Sequence, residues 1–155
     1  MLDLVKPATW DAFLAGEKVD AILAEHVWHM LPWSDAYFAA RVCRHYLADA
    51  GYLRIAVPDG FHPNLDYLNW VRPNGVGPSA PGHYTLYDYR KLTAQLEDAG
   101  FQVEPLEYFD EQRQFHQREW TPDDGMVRRS ARFDERNAGG PLKYSSLIID
   151  ARKRP

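Results

Sequence analysis

Two apolar runs of strand length, set about a helix apart, constrain this fold more than any other feature. Val19-Asp20-Ala21-Ile22-Leu23-Ala24 leads into Glu25-His26, and Tyr52-Leu53-Arg54-Ile55-Ala56-Val57-Pro58 follows. Near-continuous apolar runs of this kind suit strands covered on both faces. No glycine-rich turn precedes the first run, so the sheet is expected to begin in mid-fold, without the loop that cradles a cofactor in nucleotide-binding sheets.

After an apolar start at Leu2 to Val5, a helical turn is expected around Trp10 to Ala15. Between the two runs, Ser34 and Asp35 are placed to cap a helix with apolar positions Phe38, Val42, Tyr46 and Leu47, and Gly51 is placed as its left-handed stop. A second helix is expected from about Tyr87 to Ala99, ended by Gly100, with Phe101 to Phe109 as a third strand. This alternation predicts right-handed crossovers and a largely parallel α/β sheet. Residues 110–144 carry charge, aromatics and glycine with no clear period, before Ser146-Leu147-Ile148-Ile149-Asp150-Ala151 closes the chain as an apolar strand. A connector of that length is a lid or binding loop, or it contains a hairpin that periodicity does not reveal. With no internal repeat and no low-complexity stretch, residues 1–155 read as one domain.

Composition narrows the function classes. A hydrophobic content of 45% with 14% aromatics lies well above a disordered profile. No apolar run approaches the roughly 20 residues of a membrane helix and no secretory pattern opens the chain, so a cytoplasmic location and no membrane partner are expected. A net charge of -4 argues against nucleic acid as a partner, because that affinity rests on lysine and arginine contacts to phosphates. Cys43 is the only cysteine, which excludes an intrachain disulfide and a cysteine-rich zinc site.

Three stretches carry a family resemblance: Asp20-Ala21-Ile22-Leu23-Ala24-Glu25-His26-Val27, then Gly51-Tyr52-Leu53-Arg54-Ile55-Ala56-Val57-Pro58-Asp59-Gly60, and Gly100-Phe101 after a helix. Together they resemble the carboxyl-terminal half of a class I S-adenosylmethionine-dependent methyltransferase. His83 to Tyr89, Arg129-Ser130, Asp134 to Asn137 and Ser145 to Ala151 extend the likeness to a subgroup of predicted methyltransferases. The resemblance implies a truncated Rossmann-like sheet, mostly parallel, with Ser146 to Ala151 as an antiparallel strand inserted between its neighbours. It implies S-adenosylmethionine as cofactor, although the glycine-rich turn and the ribose-binding acid of the family have no counterpart here. What the resemblance leaves for the cofactor is Asp3 with Leu4, and Glu25 with His26. Where the family often continues Glu-His-Val with Leu-Glu-His, this chain has Trp28-His29-Met30. Without the preceding strands, Val19 to Ala24 is expected to form an apolar edge that pairs with a second copy or with a chain carrying the missing half. A non-catalytic half domain, acting as a dimeric or interaction module, is the alternative to an enzyme, and a freestanding small-molecule binding module is a third reading.

Asp59, His62, His83, Tyr84 and Arg129 are the candidate substrate residues. Imidazole suits proton transfer near neutral pH, and the arginine stretch Arg128, Arg129, Arg132, Arg136 has the fork geometry to clamp a carboxylate or phosphate. Turn chemistry around Pro58-Asp59-Gly60 and Pro63, and solvated pairing of the arginines with nearby acids, are the competing readings. Glu25, His26 and His29 lack the rest of a metal ligand set. Trp28, Trp33, Tyr84, Tyr87 and Tyr89 are read as a substrate wall or as core. No nucleophile paired with a base is visible, and Cys43 lies within a helix, so covalent catalysis has no support.

Overall fold

The computed structural model describes residues 2–123 and 125–154. Its centre is a five-stranded sheet in the order β1-β2-β5-β3-β4, with β1 at Val19–Glu25, β2 at Leu47–Val57, β3 at Phe101–Phe109, β4 at Phe115–Gln117 and β5 at Leu147–Lys153. β1 and β2 pair in parallel, while β5 lies antiparallel to both β2 and β3, so β1, β2 and β3 share one direction around an inverted closing strand. This is the mixed α/β arrangement expected from the closing run. The third strand matches its expected bounds, and Gly100 ends the preceding helix with φ 94°, a conformation that glycine adopts without a Cβ penalty.

Other boundaries move for local reasons. Helix α1 runs over Pro7–Leu14, with the proline in its first turn, where a missing N–H costs nothing. Helix α2 spans Trp33–Tyr46 behind Pro32, so Ser34 and Asp35 lie inside its first turn instead of capping it. Gly51 does not stop that helix. It lies inside β2, where a Cβ would come within 2.9 Å of the Asp20 carbonyl oxygen. Phe38 is exposed, and α2 packs through Ala36, Ala39, Ala40, Val42, Cys43 and Tyr46 instead. Helix α4, Tyr89–Asp98, begins two residues later than expected, because the Asp88 carboxylate accepts from the N–H groups of Arg90 and Lys91. β1 is not covered on both faces: only Ala24 is fully buried, Leu23 is 40% exposed, and among the described residues the strand pairs with β2 alone.

The two faces of the sheet are covered by different means. On one, Leu53, Ile55, Val57, Leu147 and Ile149 join α2 and α4 in the main apolar core. Trp28 and Tyr87 of this core form a buried knot with Gln95, in which both aromatic donors bond to Gln95 Oε1. Trp28 and Tyr87 are therefore core, Trp33 stacks on Tyr87, and Tyr89 packs against Tyr108.

The opposite face is covered by the segment 118–146, whose described residues carry one short 3₁₀ turn, at Glu135–Asn137. Its apolar contacts are few, namely Ala56, Leu106, Val127 and Ile148 with Trp120 against them. Buried polar groups fix it in place. Arg54 and Asp150 are register partners on β2 and β5, and they form a bidentate pair of 2.7 and 2.8 Å, while Arg54 Nη1 also donates to the carbonyls of Thr121 and Gly125. On β3, a bulge between Pro105 and Glu107 turns the Glu107 carboxylate toward the same face. That fully buried carboxylate accepts from Trp120 Nε1, the Ala131 N–H and Ser145 Oγ.

Candidate functional site

A cleft of about 550 Å³ opens at the carboxyl ends of β1 and β2. Open α/β sheets place ligands at such strand ends. Its inner rim begins with His26, whose backbone takes the left-handed conformation with φ 56° directly after β1. A side chain in that region is strained by about 1 kcal/mol or more, and here the strain is offset by hydrogen bonds at three points. The His26 N–H donates to the Ala56 carbonyl, its Nε2 lies 2.9 Å from Ser146 Oγ, and its Nδ1 lies 2.8 Å from Arg129 Nη1.

The protonation of His26 follows from its partners. Arg129 has only donors, so Nδ1 must accept, and a neutral ring then carries its proton on Nε2 and donates to Ser146. Burial, reinforced by Arg129, His29, Arg136 and His83, holds its pKa down to about 3. His29 is 3% exposed and is likewise held to about 3 by burial, then by His83 and Arg129. The His26 and His29 rings meet edge-on at 5.6 Å and the His29 and His83 rings at 4.4 Å, giving a row of three imidazoles. At the far end, His83 Nδ1 bonds to the Val71 carbonyl, so Nδ1 carries a proton and the lone pair of the neutral ring lies on Nε2.

The outer wall is α3 (Leu65–Val71), started by Asn64, whose side chain accepts from the Tyr67 N–H. It brings Tyr67, Trp70 and Val71 to the cleft, opposite Arg129, Arg136 and Tyr144 from the segment on the second face. The loop after α3 wraps closely around Trp70, and a Cβ at Gly77 would lie 2.8 Å from the indole. Arg136 lies over the Tyr144 ring at 3.6 Å and is neutralised by a two-point pair with Asp134. The Arg129 side chain makes one hydrogen bond, to His26, and among the described residues no carboxylate pairs with it.

The structure brings together His26, His83 and Arg129 of the candidate residues, with His29 between the two imidazoles. Asp3 and Leu4 do not line this cleft. Asp3 is tied into its own turn by the Val5 N–H and Lys6, and Leu4 packs on the main core. The Glu25 carboxylate is taken up by the backbone N–H groups of Arg128 and Arg129. Asp59 is fully buried behind the cleft, where its two oxygens accept from Phe61 and Phe109 N–H at 2.8 Å, and burial pushes its carboxyl up to about 7. His62 packs among Tyr67, Phe109 and Tyr144, and Tyr84 is exposed. Cys43 is fully buried and its thiol is pushed up to about 12. Sequence reasoning missed Tyr67, Trp70 and Tyr144. The Asn64-Leu65-Asp66-Tyr67 start of α3 is a readable helix cap, but nothing local places that helix over the strand ends.

The cleft lining carries no acid that fits the ribose of S-adenosylmethionine among the described residues. Nucleotide-binding sheets commonly hold the ribose with a free acid; among the described residues no carboxylate lines this cleft, and Glu25 and Asp59 accept from backbone donors instead. Among the described residues no helix is long and apolar enough to cross a membrane.

No protein-family model and no curated protein matches the sequence. Solved structures do match in fold. An O-methyltransferase family protein from Burkholderia thailandensis superposes with a TM-score of 0.52 at 13% identity, over 98% of this chain and 34% of its own. A SAM-dependent methyltransferase from Archaeoglobus fulgidus gives 0.51 at 14% identity, over 94% and 63%. An O-methyltransferase from neocarzinostatin biosynthesis, in complex with S-adenosyl-L-homocysteine and 1,4-dihydroxy-2-naphthoic acid, gives 0.51 at 11% identity, over 90% and 30%. The chain spans about a third of two of these structures and under two thirds of the other. At these identities the likeness establishes the fold alone: a methyltransferase-type α/β sheet, matched over most of this chain and a part of each neighbour.

Proposed function

We propose that this chain is the acceptor side of a methyltransferase-type fold, and that the grip on S-adenosylmethionine comes from a polypeptide paired along β1. One observation carries the reading: β1 has an unpaired outer edge among the described residues, and its carboxyl end leads directly into a cleft without a ribose-binding carboxylate. An apolar edge strand of this length is a template for another strand, from a second copy or from a chain bearing the cofactor loop. The small-molecule acceptor would lie in the cleft, with His83 Nε2 available to receive a proton from it.

The test is calorimetric titration of the purified chain with S-adenosylmethionine and S-adenosylhomocysteine, with solution mass and amide exchange measured in parallel. An assembly with slow exchange along Val19 to Ala24 and micromolar cofactor binding supports the reading. A monomer at micromolar concentration with rapid exchange along that strand refutes the pairing. An assembly that binds no cofactor up to millimolar ligand favours the second reading, a non-catalytic interaction module, which the same missing carboxylate supports.

A further inference from the structure

We propose that the cleft binds a small hydroxylated organic acid, with the carboxylate received at Arg129 and the hydroxyl at His83. As a methyl acceptor, such a ligand rests on the reading above. As a ligand, it stands on the polar groups of the cleft alone.

The first argument is charge. Two guanidiniums line the cleft: Arg136 is neutralised by Asp134, burial holds His26 and His29 neutral, and Arg129 has no carboxylate in a salt bridge with it among the described residues. A guanidinium that lines the cleft with only one side-chain hydrogen bond matches a monoanion, and its fork matches a carboxylate. A dianionic phosphate would meet only half the charge it needs.

The second argument is hydrogen-bond direction. Arg129 cannot accept, so His26 Nδ1 accepts from it and the neutral His26 ring donates from Nε2. His26 Nε2 donates to Ser146 Oγ, Ser146 Oγ stands 3.4 Å from Tyr144 OH, and Tyr144 OH stands 3.1 Å from Tyr67 OH. When Tyr144 OH donates to Tyr67 OH, the Tyr67 proton is free to donate to a ligand in the cleft. Tyr67 lines the cleft, and burial raises its pKa, so it stays a donor. The cleft thus offers donors at Arg129 and Tyr67, and a lone-pair acceptor at His83 Nε2. An acid with a separate hydroxyl satisfies both kinds.

The third argument is the walls. Met30 and Trp70, 46% and 50% exposed, and Val71 give the cleft apolar surface for a carbon skeleton. A cleft of about 550 Å³ holds a single-ring acid with room to spare.

The experiment uses 4-hydroxybenzoate as probe against the full chain, followed by calorimetry and by tryptophan fluorescence. Its methyl ester and inorganic phosphate serve as comparison ligands. Saturable binding of the acid is expected, at least about tenfold tighter than the ester, which corresponds to the roughly 1.4 kcal/mol of one charge-assisted contact. Arg129→Met should erase the difference between acid and ester, and Tyr67→Phe should weaken the acid several-fold. Arg132→Met, an exposed arginine stacked on Phe133 outside the cleft, should leave binding unchanged. An unaltered melting transition in the Arg129 variant confirms its fold, which is expected because its backbone bond to Glu25 remains. Equal binding of acid and ester, an Arg129→Met chain that still prefers the acid, preference for phosphate, or no saturation by millimolar acid would each overturn the proposal. Acid binding without cofactor binding in any assembly would sink the methyltransferase reading and leave this one standing, whereas cofactor binding without acid binding would do the reverse.

Discussion

Replacing Arg54 by methionine tests whether polar groups fix the cover on the second face. Arg54 and Asp150 are 2% and 6% exposed, and their two-point pair lies in the middle of the sheet between β2 and β5. Arg54→Met keeps the side-chain length but leaves the Asp150 carboxylate buried without its cation, and removes the donor to the Thr121 and Gly125 carbonyls. Breaking a buried pair from one side costs about 3–5 kcal/mol, a large share of the roughly 5–15 kcal/mol that holds a domain folded. With a urea dependence of about 2 kcal/mol per M, the midpoint should fall by about 1.5–2.5 M. The double variant Arg54→Met/Asp150→Leu removes the stranded charge and should be about 2 kcal/mol more stable than the sum of the single losses implies. Amide exchange in Arg54→Met should rise first in residues 118–128. A single-variant loss under about 1 kcal/mol, or strict additivity in the double variant, would refute the reasoning.

Glu107→Gln places an amide N–H₂ where the carboxylate now accepts from three donors, so it should cost about 1–3 kcal/mol in urea or thermal unfolding, and a neutral effect would show that the cover does not depend on this acceptor. Acidification from pH 6.5 to 5 should destabilise the chain, because His26, His29 and His62 have folded pKa values below their unfolded ones and stability from them is lost as the unfolded state takes up protons. Asp59 acts in the opposite sense, since its raised pKa makes the folded chain hold a proton first and gives stability that fades as pH rises toward about 7. The histidines outnumber it, so urea midpoints should drop toward pH 5 with a slope of about 1.4 kcal/mol per pH unit for each net proton, and a flat or reversed profile would contradict the assigned environments. Gly77→Ala should displace Trp70, seen as a shift in tryptophan emission and weaker probe binding, and an unchanged spectrum would mean the loop yields freely.

Much of the sheet was legible because its strands are apolar runs that read the same wherever they are packed. β3 and Gly100 illustrate this, since periodicity and a glycine stop are local properties. Gly51 shows the limit: a glycine after a helical pattern looks like a stop, but here the close approach of β1 to β2 sets its place. The site was less legible for a related reason. His83 and Arg129 are recognisable as chemistry-bearing residues, yet they reach the cleft through long-range bonds to Val71 and His26. Tyr67 and Tyr144 belong to the cleft only because their hydroxyls meet across 77 positions of sequence. Asp59 went the other way, from candidate contact to a buried strut for β3.

The cover on the second face also carries Arg129, Arg136 and Tyr144 to the cleft, so what anchors the cover tunes the site. The apolar patch here is small, whereas the fork of Arg54 and the three-donor seat of Glu107 are directional and fix the placement of the cover. Loosening either anchor would lower the fraction of molecules with Arg129 in position, and apparent affinity falls in proportion to that fraction. Residues on the far side of the sheet thereby set how strongly a ligand is held without ever touching it. Affinity here becomes a property inherited through the sheet, open to adjustment by substitutions that leave every cleft side chain as it is.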